Sequence, residues 1–281
     1  MSKIILSHFQ AKKILDAINE KKQDCSVSLD LGITTTLLSL SNNSVVFPDG
    51  QTLTYKQLKK ILKHENKCYF VEDNDLRAVN IFSETTEWMR TLYPTESAPT
   101  TLVSGFLMHR IKQTNPLIDT KQKVAALGKI EGGVILDTCF GLGYTAIELS
   151  KVGTVFSVEL DPGAVELAKM NPWSSPLFSN PNIEVHIGDI RETIVSLAGG
   201  SFSHVLHDPP SFRIADELYE QSFYLQLYRV LRQGGVLFHY IGDPESPLGS
   251  QVTKRVIERL RSVGFKQIVI VPNTFGVVAT K

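Results

Sequence analysis

Between Val134 and Ala146 a short apolar run ends in an acid, crosses two glycines and passes into a helical pattern: Val134-Ile135-Leu136-Asp137-Thr138-Cys139-Phe140-Gly141-Leu142-Gly143-Tyr144-Thr145-Ala146. A strand, a tight turn and a helix start in immediate succession confine this part of the chain to a βαβ architecture able to hold a nucleotide-like ligand. Glycine lets the main chain turn sharply and approach a ligand, and the helix start offers N–H groups with no partner inside the helix. The next strand, Thr154-Val155-Phe156-Ser157-Val158, ends in Glu159 at the spacing of one βαβ unit. An acid there accepts hydrogen bonds from both ribose hydroxyls. A glycine-rich loop alone is weak evidence; loop and acid together are specific.

From Gly132 onward strands and helices alternate. Strands are expected at Val134–Leu136, Thr154–Val158, Ile183–Ile187, His204–Leu206, Val236–Tyr240 and Gln267–Val271. Helices are expected to begin near Tyr144, Pro162, Ile190, Glu217 and Gln251, with Asp161 capping the second and Gly234-Gly235 closing the helix from Glu217. The alternation predicts an α/β fold with a parallel, doubly wound sheet and ligands at the strand C-termini.

The first part of the chain reads differently. An amphipathic helix is expected from about Ser7 to Lys22, burying Phe9, Ile14, Leu15 and Ile18. Short β-patterned runs follow at Ser26–Leu31, Thr34–Leu40, Ser44–Phe47, Cys68–Val71 and Arg77–Phe82, with a short helix over Tyr55–His64. This predicts a smaller β-rich N-terminal domain over residues 1–115, possibly recognising substrate, and a ligand-binding domain over 116–281 that opens with a helix at Thr120–Leu127.

Composition limits the function classes. With 29 basic and 29 acidic residues the net charge is zero, which argues against a globally basic nucleic-acid binder. A local cluster, Lys56, Lys59, Lys60 and Lys63, shares one helix, where a solvated face is the common meaning of such a run. No apolar run reaches membrane-spanning length, and the N-terminus lacks a signal-peptide pattern. Cys25, Cys68 and Cys139 form no metal spacing and no disulfide framework. A cytoplasmic protein without a metal is expected.

The acid ahead of the glycines narrows the ligand. Asp137 would repel a pyrophosphate but suits the ammonium of an amino acid, so an adenosine carrying a methionine-like tail meets both demands: S-adenosyl-L-methionine. From about Ile130 to Thr280 the chain resembles the class I S-adenosylmethionine-dependent methyltransferases. Asp137 to Gly143 resembles their first motif, with Cys139 where glycine is usual. Glu159 matches their ribose-binding acid, and Asp189 the acid that receives the adenine amino group. The resemblance implies a cofactor site built from Asp137, Cys139, Gly141, Gly143, Tyr144, Glu159, Leu160, Asp189 and Ile190. It also implies a last antiparallel strand over Phe275–Thr280. The whole chain resembles a group of archaeal and cyanobacterial predicted methyltransferases with a His-Asp-Pro-Pro-x-Phe segment.

That segment is His207-Asp208-Pro209-Pro210-Ser211-Phe212. It follows the fourth strand and resembles the loop with which nitrogen methyltransferases hold a planar acceptor. The implied roles are amino-group binding by Asp208 and a proline carbonyl, stacking by Phe212, and rigidity from Pro209 and Pro210; His207 is either part of the site or structural. His239 and Tyr240, at the end of the fifth strand, and His109 and Arg110 are candidate acceptor-binding residues. The placement of Val103–Arg110 resembles the segment leading into the catalytic domain of spermidine synthases, which also carry a β-rich N-terminal domain. The expectation is therefore methyl transfer to a nitrogen of a planar acceptor, with a small molecule or a protein ahead of RNA as that acceptor. The alternatives are an aminopropyltransferase of the spermidine synthase type and a non-catalytic module that binds adenosine compounds.

Overall fold

The computed structural model describes residues 3–281; Met1 and Ser2, which open the segment read above as lacking a signal peptide, lie outside that range. The chain divides into two compact units. One runs to Leu117 and takes in Glu166–Ser175; the other comprises Ile118–Val165 and Pro176–Lys281.

In the first unit β1 (Ile4–Leu6), β6 (Tyr69–Glu72) and β7 (Asp75–Ala78) form one antiparallel sheet. A second contains β2 (Asp24–Val27), β3 (Thr36–Leu40), β4 (Ser44–Val46) and β5 (Thr52–Thr54). A third contains β8 (Asn80–Ser83), β9 (Trp88–Tyr93), β10 (Thr100–Val103) and β11 (Phe106–Leu107). Helices α1 (His8–Asn19) and α2 (Tyr55–Leu62) each start at a capping box, Ser7 with Gln10 and Thr54 with Gln57. Ile14, Leu15 and Ile18 of α1 join Leu58 and Ile61 of α2 in one core.

Three expectations need correction here. Phe9 is 37% exposed, because Ser7 starts the helix so that Phe9 falls on its outward side. The run Arg77–Phe82 is not one strand. Wholly buried Val79 gives its N–H to Cys68 O and takes that of Leu92, carrying the chain from β7 in one sheet to β8 in another. The alternation at Ser26–Leu31 stops at Val27, because the Asp30 carboxylate accepts the N–H groups of Ile33 and Thr34 and folds the chain into a turn.

Helix α3 (Pro116–Ala126) precedes the seven-stranded sheet of the second unit. Its elements are β12 (Val134–Asp137), α4 (Tyr144–Leu149), β13 (Thr154–Glu159), α5 (Pro162–Met170), α6 (Ser175–Ser179), β14 (Ile183–Ile187) and α7 (Ile190–Ser196). They continue with β15 (Phe202–His207), α8 (Gln221–Val230), β16 (Leu231–Tyr240), α9 (Pro247–Ser262), β17 (Lys266–Val271) and β18 (Gly276–Thr280). The strand order is β14-β13-β12-β15-β16-β18-β17. The first five are parallel, and β18 runs antiparallel to both β16 and β17. The α/β class, the parallel sheet with its antiparallel strand and the smaller β-rich region are as expected. The order reverses at β12, which pairs with β13 on one side and β15 on the other, so a crevice opens beyond the C-terminal ends of β12 and β15.

The helix expected from Glu217 is corrected as well. Asp216–Tyr219 forms a short 3₁₀ turn, and α8 begins at Gln221. It ends at Val230 rather than at Gly234-Gly235, because wholly buried Leu231 takes the chain directly into the sheet. The glycines lie within β16, where the register with β15 shifts between Phe202 and His204. Among the described residues no helix is long and apolar enough to cross a membrane.

Candidate active site

The loop between β12 and α4 owes its shape to two glycines. Gly143 caps α4 at φ 78°, and a Cβ there would lie 2.5 Å from a Leu177 methyl, so no other residue fits without displacement. Gly141 has φ 55°, and a Cβ there would meet nothing within 4 Å. The loop thus presents bare backbone to open space, a cradle of the kind a nucleoside tail requires. The Gly141 N–H donates to Glu159 Oε2 at 2.9 Å, and the Asp161 N–H donates to Glu159 Oε1 at 3.1 Å. These two bonds aim the Glu159 carboxylate.

Asp137 is wholly buried. Its Oδ2 accepts the Ser157 hydroxyl at 2.8 Å, and the Thr145 hydroxyl lies 3.1 and 3.2 Å from its two oxygens. Burial pushes its pKa up to about 7 against the pull of these hydroxyls. The carboxylate expected to meet a ligand ammonium is braced within the turn by these hydroxyls. Asp189 caps α7 through the Arg191 N–H at 2.8 Å and pairs with the Arg191 guanidinium at 2.6 Å. Burial works against its ionisation, but the Arg191 bonds prevail and hold its pKa below the usual carboxylate value. Tyr144 and Ile190 are buried, and Leu160 is exposed. Cys139 is half-buried against the core, and burial raises its thiol pKa, which marks a packing residue rather than a reactive one.

Across the crevice, the register Asp137↔Leu206 places Asp208 just beyond the end of β15. Lys123 Nζ stands 2.6 Å from Asp208 Oδ2 and 3.1 Å from Asp119 Oδ2, one turn earlier on α3. The same ammonium lies 4.8 Å from the centre of the Tyr240 ring. The Lys123 side chain is 3% exposed and that of Asp119 is fully buried, whereas Asp208 keeps 17% of its side chain accessible. Burial alone would discharge the lysine; the two carboxylates outweigh it and raise its pKa above the ordinary lysine value. Neither Lys123 nor Asp119 was among the expected site residues. Their signal is an Asp–Lys pair at i, i+4 on the stripe of α3 that also buries Pro116 and Thr120.

The histidines are braces. His207 is wholly buried, and its Nε2–H donates to Leu218 O at 3.1 Å. Its Nδ1 must then accept from the Thr138 hydroxyl, 2.7 Å away, tying the loop after β12 to that after β15. Burial drives its pKa down to about 3, so the ring is neutral and both nitrogens are engaged. His239 is also wholly buried, with Nε2 2.8 Å from the Tyr224 hydroxyl and its ring 4.4 Å from that of His207. Pro209 is buried, and the Pro210 carbonyl accepts the Tyr219 hydroxyl at 3.0 Å. Phe212 meets Tyr219 edge-on, ring centres 5.4 Å apart, and Arg255 lies over its ring at 4.9 Å. The carbonyl and ring expected to hold a planar acceptor thus have protein partners. In the other unit, the His109 N–H and Nδ1 both lie against the Thr100 hydroxyl, at 3.1 and 2.8 Å, with Arg110 next in sequence.

A mixed sheet with a switch point at β12, a glycine cradle and an acid ending β13 define a Rossmann-like transferase fold. The spermine/spermidine synthase domain matches residues 100–275, and the chain belongs to that family. It is 38% identical to an uncharacterized protein of Methanocaldococcus jannaschii over 100% of this chain and 99% of that one. It is 29% identical to spermidine synthase 1 of Hyoscyamus niger over 43% of this chain and only 36% of that enzyme. A solved spermidine synthase in complex with the transition state analogue AdoDATO shares the fold at TM-score 0.57 and 15% identity, covering 89% of this chain and 77% of that one.

Methyl transfer, the expected activity, is overturned by this family match and by the spermidine synthases among the relatives. The physical reason is that a glycine loop and strand-end acids are features suited to the nucleoside end of a ligand. They do not encode which group leaves the sulfur.

Proposed function

We propose that this chain is an aminopropyltransferase that moves the aminopropyl group of decarboxylated S-adenosylmethionine to an amine. The observation that carries the reading is the family match over residues 100–275, which spans the glycine cradle, Glu159, Asp189 and the loop bearing Asp208. The nitrogen lone pair attacks the methylene carbon bonded to sulfur. A C–N bond forms, the C–S bond breaks with its electrons going to sulfur, and the new ammonium releases a proton. Gly141, Gly143 and Glu159 hold the nucleoside, with Asp189 at the adenine end. Asp208 faces the acceptor. Alignment supplies most of the rate, because the sulfonium already activates the carbon.

An amine acceptor calls for acidic partners, and residues 207–210 hold one acid. Asp119, the other acid of the cluster, is fully buried and pairs with Lys123, which leaves Asp208 as the acid that meets the acceptor. The β-rich unit fits a role in acceptor recognition.

The test is incubation of the pure protein with decarboxylated S-adenosylmethionine and a panel of mono-, di- and polyamines, followed by mass spectrometry. Methylthioadenosine and an aminopropylated amine are expected in equal amounts. Donor binding without turnover on any amine would defeat the reading and leave a nucleoside-binding module.

A further inference from the structure

Strand β15 is buried along its whole length, and on the face that carries Val205 into the apolar core the next place belongs to a histidine. His207 is wholly buried there, its ring 5.1 Å from that of Phe223 and 4.4 Å from that of His239. An apolar side chain would fill such a place without partners, whereas a buried imidazole needs both nitrogens satisfied. Both are, and each partner comes from a different segment. Nδ1 takes the hydroxyl of Thr138, which follows Asp137 at the root of the glycine loop. Nε2 gives its hydrogen to Leu218 O, 11 residues on, at the far end of the loop that Asp208 opens. That loop is pinned again at Pro210 by the Tyr219 hydroxyl, and Arg259 donates to the Tyr219 carbonyl. One ring therefore closes the neck of the Asp208 loop and fastens it to the root of the cradle. Asp208 is its immediate neighbour in the chain, so a tilt of His207 moves the Asp208 backbone directly.

Resting on the aminopropyl-transfer reading, we propose that His207 is a positioning residue. Through the Thr138 hydroxyl it holds Asp208 in register with the glycine cradle, so that the attacking nitrogen lines up with the C–S bond. It touches neither donor nor acceptor and takes no part in proton transfer. Burial keeps the ring neutral, and the bond to Leu218 O fixes the tautomer that turns the Nδ1 lone pair to Thr138. A fully satisfied buried network of this kind gives up apolar packing for a single geometry. Displacement at carbon is sensitive to that geometry, since a misplacement of about 1 Å costs on the order of 100-fold in rate.

The experiment breaks the bond from each end. Thr138→Val is close in shape and removes the hydroxyl. His207→Gln keeps an amide N–H for Leu218 O and gives up the Thr138 bond, and Thr138→Ser retains the hydroxyl. With decarboxylated S-adenosylmethionine as donor, kcat and KM are measured for the amine that the wild type uses best; calorimetry gives the affinity for methylthioadenosine. Thr138→Val and His207→Gln should each lower kcat on the order of 10- to 100-fold and leave nucleoside affinity at its wild-type value. Thr138→Ser should restore the rate. Because both changes break one bond, Thr138→Val/His207→Gln should be no slower than the slower single variant. If one single variant fails to fold, the other decides. Hydrogen exchange at the N–H groups of Ile214, Ala215 and Leu218, all bonded within the loop, gives a readout that needs no turnover. Relative to the strands of the sheet, it should quicken in both variants and not in Thr138→Ser. A merely structural histidine would lower stability and leave kcat unmoved, and that result would overturn the proposal. So would losses in kcat that multiply in the double variant, or loop exchange that stays at the wild-type rate. If the wild type turns over no amine at all, aminopropyl transfer fails, while the exchange measurement still decides whether His207 orders the Asp208 loop.

Discussion

Asp137 and Asp208 end neighbouring strands of one sheet, yet the protein holds them by opposite means. Asp137 is wholly buried and receives neutral hydroxyls from Ser157 and Thr145. Glu159, one strand away, likewise accepts neutral backbone N–H groups. Asp208 is partly exposed and receives a full positive charge from Lys123. Neutral donors orient a carboxylate without cancelling its field, whereas a buried ammonium orients it and cancels much of it. The β12–β13 side of the site is therefore shaped by hydrogen bonding and the Asp208 side by charge balance. A group at the first side can be altered at local cost; a group at the second cannot be removed without stranding a charge.

The sharpest way to break this comparison is to delete the cation. Lys123→Met leaves Asp119 buried without its ammonium, and breaking a buried pair from one side costs about 3–5 kcal/mol. Denaturant unfolding should show that loss, with most of it recovered in Asp119→Asn/Lys123→Met. A loss under about 1 kcal/mol, typical of exposed pairs, would mean that the acceptor side is not organised by buried charge.

A smaller effect is expected on the nucleoside side. Glu159→Ala removes the anchor of the Gly141 N–H and, on the proposed function, the acceptor of the ribose hydroxyls. Donor affinity should fall by roughly 10- to 150-fold, the equivalent of charge-assisted bonds worth about 1.5–3 kcal/mol. Calorimetry on the folded variant with unchanged affinity would remove Glu159 from the site.

The difference between the two sides also explains what was legible in the sequence. Strands β12 to β17 and the cradle are written locally, in apolar runs, glycines and strand-end acids a few residues apart, so the α/β fold is read directly, whereas β18 follows only from the family resemblance. Lys123 lies 85 residues before its partner Asp208, and only the folded chain joins them. The His-Asp-Pro-Pro-x-Phe motif likewise does not reveal that Tyr219 and Arg255 meet its carbonyl and ring. In the β-rich unit, β1, β5 and β9 to β11 escape the sequence pattern. Strands of two to six residues carry too little periodicity, and Val79 passes between sheets inside one apolar run.

The subtlest test concerns Asp137 itself, and it is read from pH. In the folded chain its pKa stands at about 7 against an ordinary 3.8, so between these values the folded state holds a proton that the unfolded state lacks. This group therefore makes stability fall as pH rises from 3.8 to about 7, and the loss persists above that. His207 has the opposite sign. Its pKa stands at about 3 against 6.5, so the unfolded state binds the extra proton and stability rises with pH across that window. The two slopes oppose each other between 3.8 and 6.5, each limited to about 1.4 kcal/mol per pH unit. Asp137→Asn keeps the shape of the side chain, and the Ser157 and Thr145 hydroxyls can rotate to serve the amide. It removes one slope and leaves the other. The variant should therefore lose stability more steeply than the wild type on acidification below about pH 6.5, and the difference between the two should level off above about pH 7. Urea unfolding at a series of pH values measures both limbs. Parallel curves for the two proteins would show that Asp137 ionises normally, so that its hydroxyl donors hold it as firmly as the ammonium holds Asp208.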